Sequence, residues 1–275
     1  MRIKERILNW FLFSIMVLVA FFMLIPFFWM FSTSLKSLGE VFEYPPKWIP
    51  REPLWENYSR VWSVVPFGRY LLNSLIVSSC ITFLHLLVAS LSAYAFARLN
   101  FPGRDKLFLL YLATLMIPGQ VTMIPNFILI KLLRLTDTYT GLILPNVFTA
   151  FGVFLLRQFF LTIPKDYEDA ARIDGASRFY IYSRIILPLS IPAVSTLAIF
   201  TFVFQWNNLL WPLVVVSKDS MKTITLGLAS FQGMYGTTWN LLMAAAMMGV
   251  LPSIVAFLLG QRYLIKGVTL TGLKA

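Results

Sequence analysis

The stretch ILNWFLFSIMVLVAFFMLIPFFWMFSTSL, residues 7 to 35, contains no Asp, Glu, Lys or Arg. A helix needs about 20 mostly apolar residues to cross the hydrocarbon core of a bilayer, and this stretch exceeds that length. A cleaved signal peptide would have a shorter apolar region, of about 7–15 residues, followed by a small-residue cleavage site. The stretch therefore predicts a retained transmembrane helix. The basic residues before it, Arg2, Lys4 and Arg6, predict a cytoplasmic N-terminus.

The rest of the chain has the same apolar character. Of its 275 residues, 58% are hydrophobic and 13% charged, with a mean hydropathy of +0.75. Soluble domains carry about 25% charged residues, so this chain has too little charge to cover a water-exposed surface. Six transmembrane segments are predicted, at residues 8–34, 70–97, 107–130, 140–160, 189–216 and 239–263. We expect an all-α integral membrane protein with one domain over residues 1–275. Pro188 and Pro192 should separate the fifth span from a cytoplasmic approach helix.

The net charge of +11 does not indicate nucleic-acid binding. The Lys and Arg residues lie between apolar runs and do not form a stripe with interleaved aromatic residues. With the N-terminus inside, the inner segments hold 14 of the 23 Lys and Arg residues and the outer segments hold nine. Positive residues concentrate on the cytoplasmic side of membrane proteins. This asymmetry predicts an even number of spans and both termini in the cytoplasm.

The inner connection at residues 161–184 carries the most informative motif. Residues 163–188 read IPKDYEDAARIDGASRFYIYSRIILP. Asp166 is predicted as the N-cap of a short helix, with Asp169 in a capping-box-like position. Gly175 is expected to supply a bend where a side chain would obstruct close approach. Such a helix suits docking into a groove on another protein, but a solvated surface helix linking two spans fits the chemistry equally well.

The spacing within this segment resembles a known family motif. Asp169-Ala170-Ala171 is followed by three residues, Gly175, nine residues and Ile185-Ile186-Leu187-Pro188. This pattern resembles the EAA loop of binding-protein-dependent ABC importer permeases, with Asp169 in place of Glu. Further stretches are similar to carbohydrate-type permeases, in the subgroup of the second maltose permease subunit. They are Tyr70-Leu71-Leu72-Asn73-Ser74, AYAFAR at residues 93–98, FPGR at 101–104, Trp206-Asn207 and QRY at 261–263.

The resemblance implies a six-helix bundle of the ABC type I importer permease kind, with a cytoplasmic coupling helix in a prokaryotic plasma (inner) membrane. It also implies that this chain forms half of the translocation pathway for a carbohydrate or oligosaccharide. The implied partners are a second homologous permease, two ATPase subunits that bind ATP–Mg, an extracellular or periplasmic solute-binding protein and membrane lipid. No cofactor, metal site, catalytic residue or nucleic-acid partner is expected on this chain. The implied ATPase-coupling residues are Asp166, Glu168, Asp169, Ala170, Ala171, Asp174, Gly175 and Ala176.

Polar residues within the spans are candidates for the solute pathway, because such residues are costly in lipid and usually functional. The candidates are Gln205, Trp206, Asn207 and Asn208 in the fifth span, Gln120 at a break in the third and Asn146 in the fourth. Amides and an indole ring suit a neutral polyhydroxyl solute. Interhelical hydrogen bonding is an equally good explanation for the fifth-span group. The position of His85 within an apolar span predicts a packed, hydrogen-bonded side chain and not a proton relay.

Two other classes of protein are weaker hypotheses. A secondary transporter or channel would show inverted repeats or an intramembrane carboxylate, and neither is evident. A membrane enzyme would need a nucleophile–base pair or a metal set, and the chain has one His and one Cys, Cys80. A phosphate-binding loop of the ATPase type is also missing from the sequence. The sequence does not distinguish between a sugar, a glycerol phosphate diester and a modified oligosaccharide as the solute. It also does not decide whether the solute contacts lie on this chain or on the second permease.

Overall fold

The computed structural model describes residues 2–233 and 236–272, and almost all of them belong to helices or short connections. The α-helices are α1 (Arg2–Ser34), α2 (Leu38–Val41), α3 (Glu56–Val64), α4 (Phe67–Arg98), α5 (Arg104–Ala113), α6 (Gly119–Leu132), α7 (Tyr139–Ile143), α8 (Ala150–Thr162), α9 (Asp166–Ile173), α10 (Arg178–Ile181), α11 (Leu187–Leu189), α12 (Ile191–Trp206), α13 (Leu210–Val215), α14 (Ile224–Leu228) and α15 (Trp239–Gly272).

Short elements of other types join these helices. Four 3₁₀ turns cover Thr114–Met116, Leu144–Asn146, Asp219–Met221 and Ala229–Phe231, and a π-helix covers Tyr182–Ile186. The strands β1 (Gln232–Gly233) and β2 (Gly236–Thr237) form one antiparallel pair. The fold is therefore helical throughout its apolar part, as expected.

Three helical stretches are long and apolar enough to cross a membrane without interruption: Leu8–Ser34, Phe67–Arg98 and Trp239–Arg262. Three further stretches meet the same criterion only as bent pairs. They are Arg104–Met116 with Gly119–Leu132, bent by 96°, Tyr139–Asn146 with Ala150–Thr162, bent by 48°, and Arg178–Leu189 with Ile191–Trp206, bent by 76°. Six spans result when each bent pair counts as one.

Proline explains two of the three bends. Ile117 precedes Pro118 and has the extended backbone that proline imposes on its neighbour, with ψ at 114°. In the fifth span the helix breaks at Ser190, between the predicted boundary residues Pro188 and Pro192. The bend thus separates the predicted approach segment from α12.

The continuous helix of the fifth span also ends earlier than the sequence predicted. We expected one segment over residues 189–216, but α12 ends at Trp206 and α13 begins only at Leu210. Pro212 accounts for the break, because a proline ring clashes with the carbonyl four residues earlier. That carbonyl, on Asn208, instead accepts a hydrogen bond from Thr225 Oγ1 at 2.8 Å.

The contacts group the chain into two compact units. The sequence predicted one domain over residues 1–275, and the contact grouping does not test that prediction. One unit comprises residues 1–67 and 227–250, and the other comprises residues 68–226 and 251–275. The second unit contains two apolar cores. One surrounds Leu156, Phe160 and Ile181, and the other surrounds Ile81 and Leu142.

In the first unit, a buried lysine holds the connection that follows α1. The Lys36 ammonium donates to the Lys47 carbonyl and lies 4.4 Å from the centre of the Trp29 ring. Asn57 donates to the carbonyls of Ser34 and Lys36, at 2.9 and 3.0 Å. Burial lowers the pKa of Lys36, and the nearby Glu40 carboxylate acts in the opposite direction. This connection, which contains Pro45, Pro46 and Trp48, is therefore folded against the end of the first span.

Candidate functional site

Helix α9 forms the candidate coupling element, and its start differs from the sequence prediction. Asp166 was predicted as the N-cap, but the cap position is Lys165, whose backbone is already helical (φ −67°, ψ −23°). No side chain caps this end, and the Lys165 carbonyl accepts from the amides of Glu168 and Asp169. Asp166 is thus the first helical residue. It still lies at the positive end of the helix dipole, where a carboxylate is favourable.

Gly175 ends this element in a left-handed conformation, with φ at +81°. The sequence analysis expected the glycine to avoid a steric obstruction. Within the chain, however, an added Cβ at this position would meet nothing within 4 Å. The backbone conformation itself is therefore what requires glycine here.

The inner face of α9 is fixed by a buried ion pair. Glu168 Oε1 lies 2.9 Å from Arg98 Nε, and the two side chains are 4% and 2% exposed. The contact is an ion pair by distance and does not have the geometry of a good hydrogen bond. Arg98 is the last residue of α4, so the pair joins a membrane-spanning helix to α9. Glu168 was predicted to take part in ATPase coupling; its carboxylate points into the protein, and that role stays a prediction.

Arg98 also holds the end of helix α8. Its Nη2 atom donates to the carbonyls of Phe160 and Ile163, the latter at 2.6 Å. These carbonyls lie in the last turn of α8 and at its cap residue, where i→i+4 donors run out and other donors take their place. One guanidinium therefore connects the ends of two membrane helices with the candidate coupling helix.

The outer face of α9 is exposed and partly apolar. Tyr167, Ala170, Ile173 and Asp174 share this face, and Ile173 is 87% exposed. Ala170 and Asp174 were predicted from the sequence, whereas Tyr167 and Ile173 were missed. Each of the two missed residues lies three positions from Ala170, and this helical spacing was the signal that could have found them.

The remaining predicted coupling residues surround that face. Asp169 is exposed and lies 3.7 Å from the Arg172 guanidinium. Ala171 and Ala176 are half-buried and pack against the apolar core around Leu156. The structure thus divides the predicted set into an exposed part, which could contact a partner, and a part that packs inward.

The segment after Gly175 connects α9 to the fifth span. Ser177 caps α10 by accepting from the Tyr180 amide at 3.2 Å. The π-helix Tyr182–Ile186 follows, and the Tyr182 hydroxyl lies 2.7 Å from Ser90 Oγ on α4. Ile181 and Ile186 are fully buried on either side. This connection is packed against α4 along its length, so it can transmit displacement of α9 to the membrane helices.

The polar candidates of the fifth span form a small group at the end of α12. Asn208 Nδ2 donates to Gln205 Oε1 at 3.2 Å, so these two amides share a face. Trp206 is buried and stacks on Phe202 with ring centres 5.7 Å apart. Asn207 is exposed, and its amide donates to the Val203 carbonyl at 2.8 Å.

The other two pathway candidates lie elsewhere in the chain. Gln120 is exposed in the first turn of α6, directly after the 96° bend. Asn146 is half-buried and donates to the Leu142 carbonyl at 2.9 Å, within its own helical stretch. In residues 2–233 and 236–272, no hydrogen bond or ring contact links either residue to the group around Gln205.

His85 is packed and hydrogen-bonded. Its Nδ1 lies 2.7 Å from the Val147 carbonyl and its Nε2 lies 3.3 Å from Thr149 Oγ1. Both partners belong to the break that precedes α8, where the backbone leaves the helical pattern. A Cβ at Gly152 would approach Nε2 to 2.3 Å. The imidazole thus stabilises the 48° bend of the fourth span.

On the opposite end of α4, the stretch Tyr70-Leu71-Leu72-Asn73-Ser74 holds residues 219–224. Asn73 is fully buried and donates to the carbonyls of Ser220 and Lys222, while its own oxygen accepts from Tyr139 at 2.7 Å. Ser74 accepts from the Ile224 amide at 2.7 Å.

Tyr70 completes this anchor through the carboxylate of Asp219. The Tyr70 hydroxyl donates to Asp219 Oδ1 at 2.7 Å, and the Lys222 ammonium lies 2.8 Å from the same oxygen. Lys222 and, to a smaller extent, Tyr70 hold the pKa of Asp219 below its ordinary value. The motif quoted for family resemblance is therefore a polar anchor for a loop.

No cluster of three or more His, Cys, Asp or Glu side chains that could hold a metal occurs among the described residues.

Comparison with known proteins agrees with this architecture. The family model described as "Binding-protein-dependent transport system inner membrane component" matches residues 85–270. The sn-glycerol-3-phosphate transport system permease protein UgpE of Yersinia pestis bv. Antiqua (strain Antiqua) is 37% identical over 272 residues, covering 96% of this chain and 97% of that protein.

Two further comparisons extend this result. The arabinooligosaccharides transport system permease protein AraQ of Halalkalibacterium halodurans is 42% identical over 202 residues, covering 74% of this chain and 72% of that protein. A chain of the bacterial ABC transporter that imports the acidic polysaccharide alginate aligns with a TM-score of 0.83 at 22% identity, covering 94% and 97% of the two chains. At this identity the likeness shows the fold. The family predicted from the motifs is confirmed, and the chain belongs to the binding-protein-dependent transport system inner membrane components.

Proposed function

We propose that this chain forms half of the translocation pathway of an ATP-driven ABC importer for a carbohydrate or oligosaccharide. The observation that carries the proposal is the two-sided helix α9. Its exposed face carries Tyr167 and Ile173, and its buried face is joined to α4 by the Glu168–Arg98 pair. If a partner bound to the exposed face moves α9, the buried ion pair on the opposite face can transmit that displacement to the membrane-spanning helix α4.

ATP binding and hydrolysis belong to the partner subunits in this proposal. Two ATPase subunits bind ATP–Mg, and one of them receives the segment at residues 166–177. This chain needs no cofactor of its own and catalyses no reaction. Tyr167 and Ile173 supply the apolar contact, because large exposed apolar side chains outside the lipid mark interaction sites. Asp166, Asp169 and Asp174 supply charge at its edge.

The remaining partners follow from the family and from the spans. An external binding protein delivers the solute, and a second, homologous permease completes the pathway in the prokaryotic inner membrane. Both termini lie in the cytoplasm. The 96° bend at Ile117–Pro118 supports a place for Gln120 beside the pathway. A broken helix at membrane depth is tolerated where it is buried in protein or lines a cavity.

The solute class is supported by the amides of the fifth span and by the relatives. UgpE is named for sn-glycerol-3-phosphate and AraQ for arabinooligosaccharides; both solutes carry hydroxyl groups, and the first also carries an anionic phosphate. Gln205 and Asn208 offer donors and acceptors next to the ring of Trp206. Neutral amides of this kind favour hydroxyl recognition over recognition of a charge.

The double variant Asp169→Lys with Gly175→Leu tests the proposal. It reverses the charge beside the docking face and places a branched side chain at a φ of +81°. In the reconstituted complex, both solute uptake and stimulation of the ATPase by the binding protein should be lost. The control Glu5→Lys makes the same charge change at another exposed position and should retain both activities. Normal uptake by the double variant would overturn the proposal, as would ion-driven uptake by this chain without any ATPase.

A further inference from the structure

A polar recess lies behind α9, on the side away from the exposed docking face. Its volume is about 550 Å³, and it opens between α9 and the turn that follows α4. The residues that line it are Ala97, Arg98, Leu99, Asn100, Arg104, Lys165, Glu168, Asp169, Arg172, Ala176, Ser177 and Arg178. From α9 and its cap these are positions 165, 168, 169 and 172, which repeat at helical spacing. The recess and the docking face are thus two different sides of one helix.

The recess carries an excess of positive charge. Five of the lining side chains are Lys or Arg and two are acidic, which leaves three positive charges in excess. Glu168 is already neutralised by Arg98, within the buried ion pair at 2.9 Å. Arg104 is held by Asp105 at 3.0 Å, beside the recess. The remaining cations therefore determine what the recess can bind.

Three cations are available for a ligand. Arg172 makes only long contacts of 3.7 Å, to Glu168 and Asp169. Within the part of the chain that the structure describes, the side chains of Lys165 and Arg178 make no ion pair or hydrogen bond. Lys165 precedes α9 and Arg178 begins α10, so these two cations approach the recess from the two ends of the coupling element.

We propose that this recess binds a phosphate group. A phosphate carries up to two negative charges and several acceptor oxygens, which match one Lys and two Arg side chains better than a single carboxylate does. The recess lies where α4 ends and α5 begins, at the cytoplasmic ends of two spans. Both a phospholipid headgroup and a free phosphate can reach that level, and basic pockets on this side of membrane proteins bind anionic headgroups. The binding step does not depend on the proposed transport function.

The double variant Lys165→Gln with Arg178→Gln removes the two unpaired cations. The control Lys106→Gln with Arg184→Gln removes the same charge from two exposed inner positions that do not line the recess. Both variants and the unchanged chain are purified within the full complex in nanodiscs. One arm compares phosphatidylcholine alone with added phosphatidylglycerol and counts the retained lipid by native mass spectrometry. The other arm adds inorganic phosphate, against chloride at equal ionic strength, and measures the shift of the thermal midpoint.

The unchanged complex and the control should bind the probe in at least one arm. The arm that responds identifies a lipid headgroup or a free phosphate as the source. The recess variant should bind at least about tenfold more weakly, because hydrogen bonds between charged groups are about twice as strong as neutral ones. Equal binding by all three complexes would overturn the proposal, as would no response in either arm. Loss of the ATPase subunits from the recess variant alone, without any phosphate effect, would also overturn it and assign the recess to a carboxylate of the ATPase.

Discussion

At the scale of single residues, Arg98 joins three elements of the described structure. It neutralises Glu168 and holds two carbonyls at the end of α8, and its side chain is 2% exposed. Removing one partner of a buried ion pair leaves a buried charge without compensation, which costs about 3–5 kcal/mol. We expect Arg98→Ala to lower the free energy of unfolding by roughly that amount, measured as the shift of the unfolding midpoint in mild detergent.

Arg172→Ala is the matched control, because Arg172 also pairs with Glu168 but at 3.7 Å and with a half-exposed side chain. Exposed ion pairs contribute about 0–1 kcal/mol, so this variant should lose less than about 1 kcal/mol. Equal losses in the two variants would mean that the pair with Arg98 contributes no more than a surface contact.

Gly152 is a second residue whose replacement should lower the free energy of unfolding by a predictable amount. A Cβ there would lie 2.3 Å from His85 Nε2 and 3.1 Å from a methyl group of Leu197. The histidine would have to move and release Val147 or Thr149, so Gly152→Ala should destabilise the protein by roughly 1–3 kcal/mol. Gly119→Ala, where nothing lies within 4 Å, should stay within about 0.5 kcal/mol of the unchanged chain. Thermal unfolding in one detergent measures both, and an unchanged midpoint for Gly152→Ala would contradict this packing.

Residue roles of this kind were only partly predictable from the sequence. The spacing around Gly175 identified α9 and half of its exposed residues, namely Asp166, Asp169 and Ala170. The partner of Glu168 could not be predicted, because Arg98 lies 70 positions earlier and only the packing of α4 against α9 brings them together. His85 was correctly expected to be packed, since a lone histidine within an apolar segment has few other stable arrangements.

At the scale of elements, the anchor between α4 and residues 219–224 depends on the charge of Asp219. The nearby Lys222 ammonium and the Tyr70 hydroxyl lower the pKa of this carboxyl from its ordinary value of 3.8. Its contribution to stability is therefore present above the pKa of the unfolded state, near 3.8, and is lost as the pH falls through the lower pKa of the folded state.

We expect the unchanged chain to unfold at a higher temperature than Asp219→Asn at pH 7. This difference should shrink below about pH 4 as the carboxyl is protonated. Asp166→Asn removes an exposed carboxylate that makes no ion pair in the described residues, and at pH 7 it should lower the unfolding temperature less than Asp219→Asn does. A difference for Asp219→Asn that is the same at pH 7 and pH 3 would show that the charge of Asp219 does not hold the loop.

The sequence located the helical elements better than it described their shape. Apolar length alone identified every segment that the structure shows as a long helix or bent pair. The 96° bend at Ile117–Pro118 was foreseen only as a break, because proline removes a donor without determining the new direction. The early end of α12 was missed, since Pro212 acts on the carbonyl of Asn208, four residues before it.

At the scale of the whole molecule, the number of spans determines where each loop lies. If the three bent pairs all cross the bilayer, residues 131 and 218 lie outside and residue 184 lies inside. If only the three unbroken helices cross it, residues 131 and 218 would lie inside. In a Cys80→Ala background, we expect Lys131→Cys and Lys218→Cys to react with an impermeant maleimide added to intact cells.

Arg184→Cys should react only after the cells are permeabilised, and Arg51→Cys, outside in both arrangements, is the positive control for labelling. Protection of residues 131 and 218 in intact cells would show that the bent pairs are not spans. Apolar length predicted the six spans and the family resemblance implied the same number, but neither the length nor the composition of a bent pair separates a crossing from a re-entrant segment.

The bend between α5 and α6 has a further consequence for the life of the protein in the cell. Met116 is 84% exposed at this point, and Gly119 and Gln120 are exposed in the following first turn, whose amides have no intrahelical acceptors. Backbone groups left without partners in hydrocarbon cost several kcal/mol each. In the complex proposed above, a copy of this chain without its partners would therefore keep a local defect at this bend. The number of sound complexes would then follow the scarcest subunit, because surplus copies of this chain would stay in the defective state.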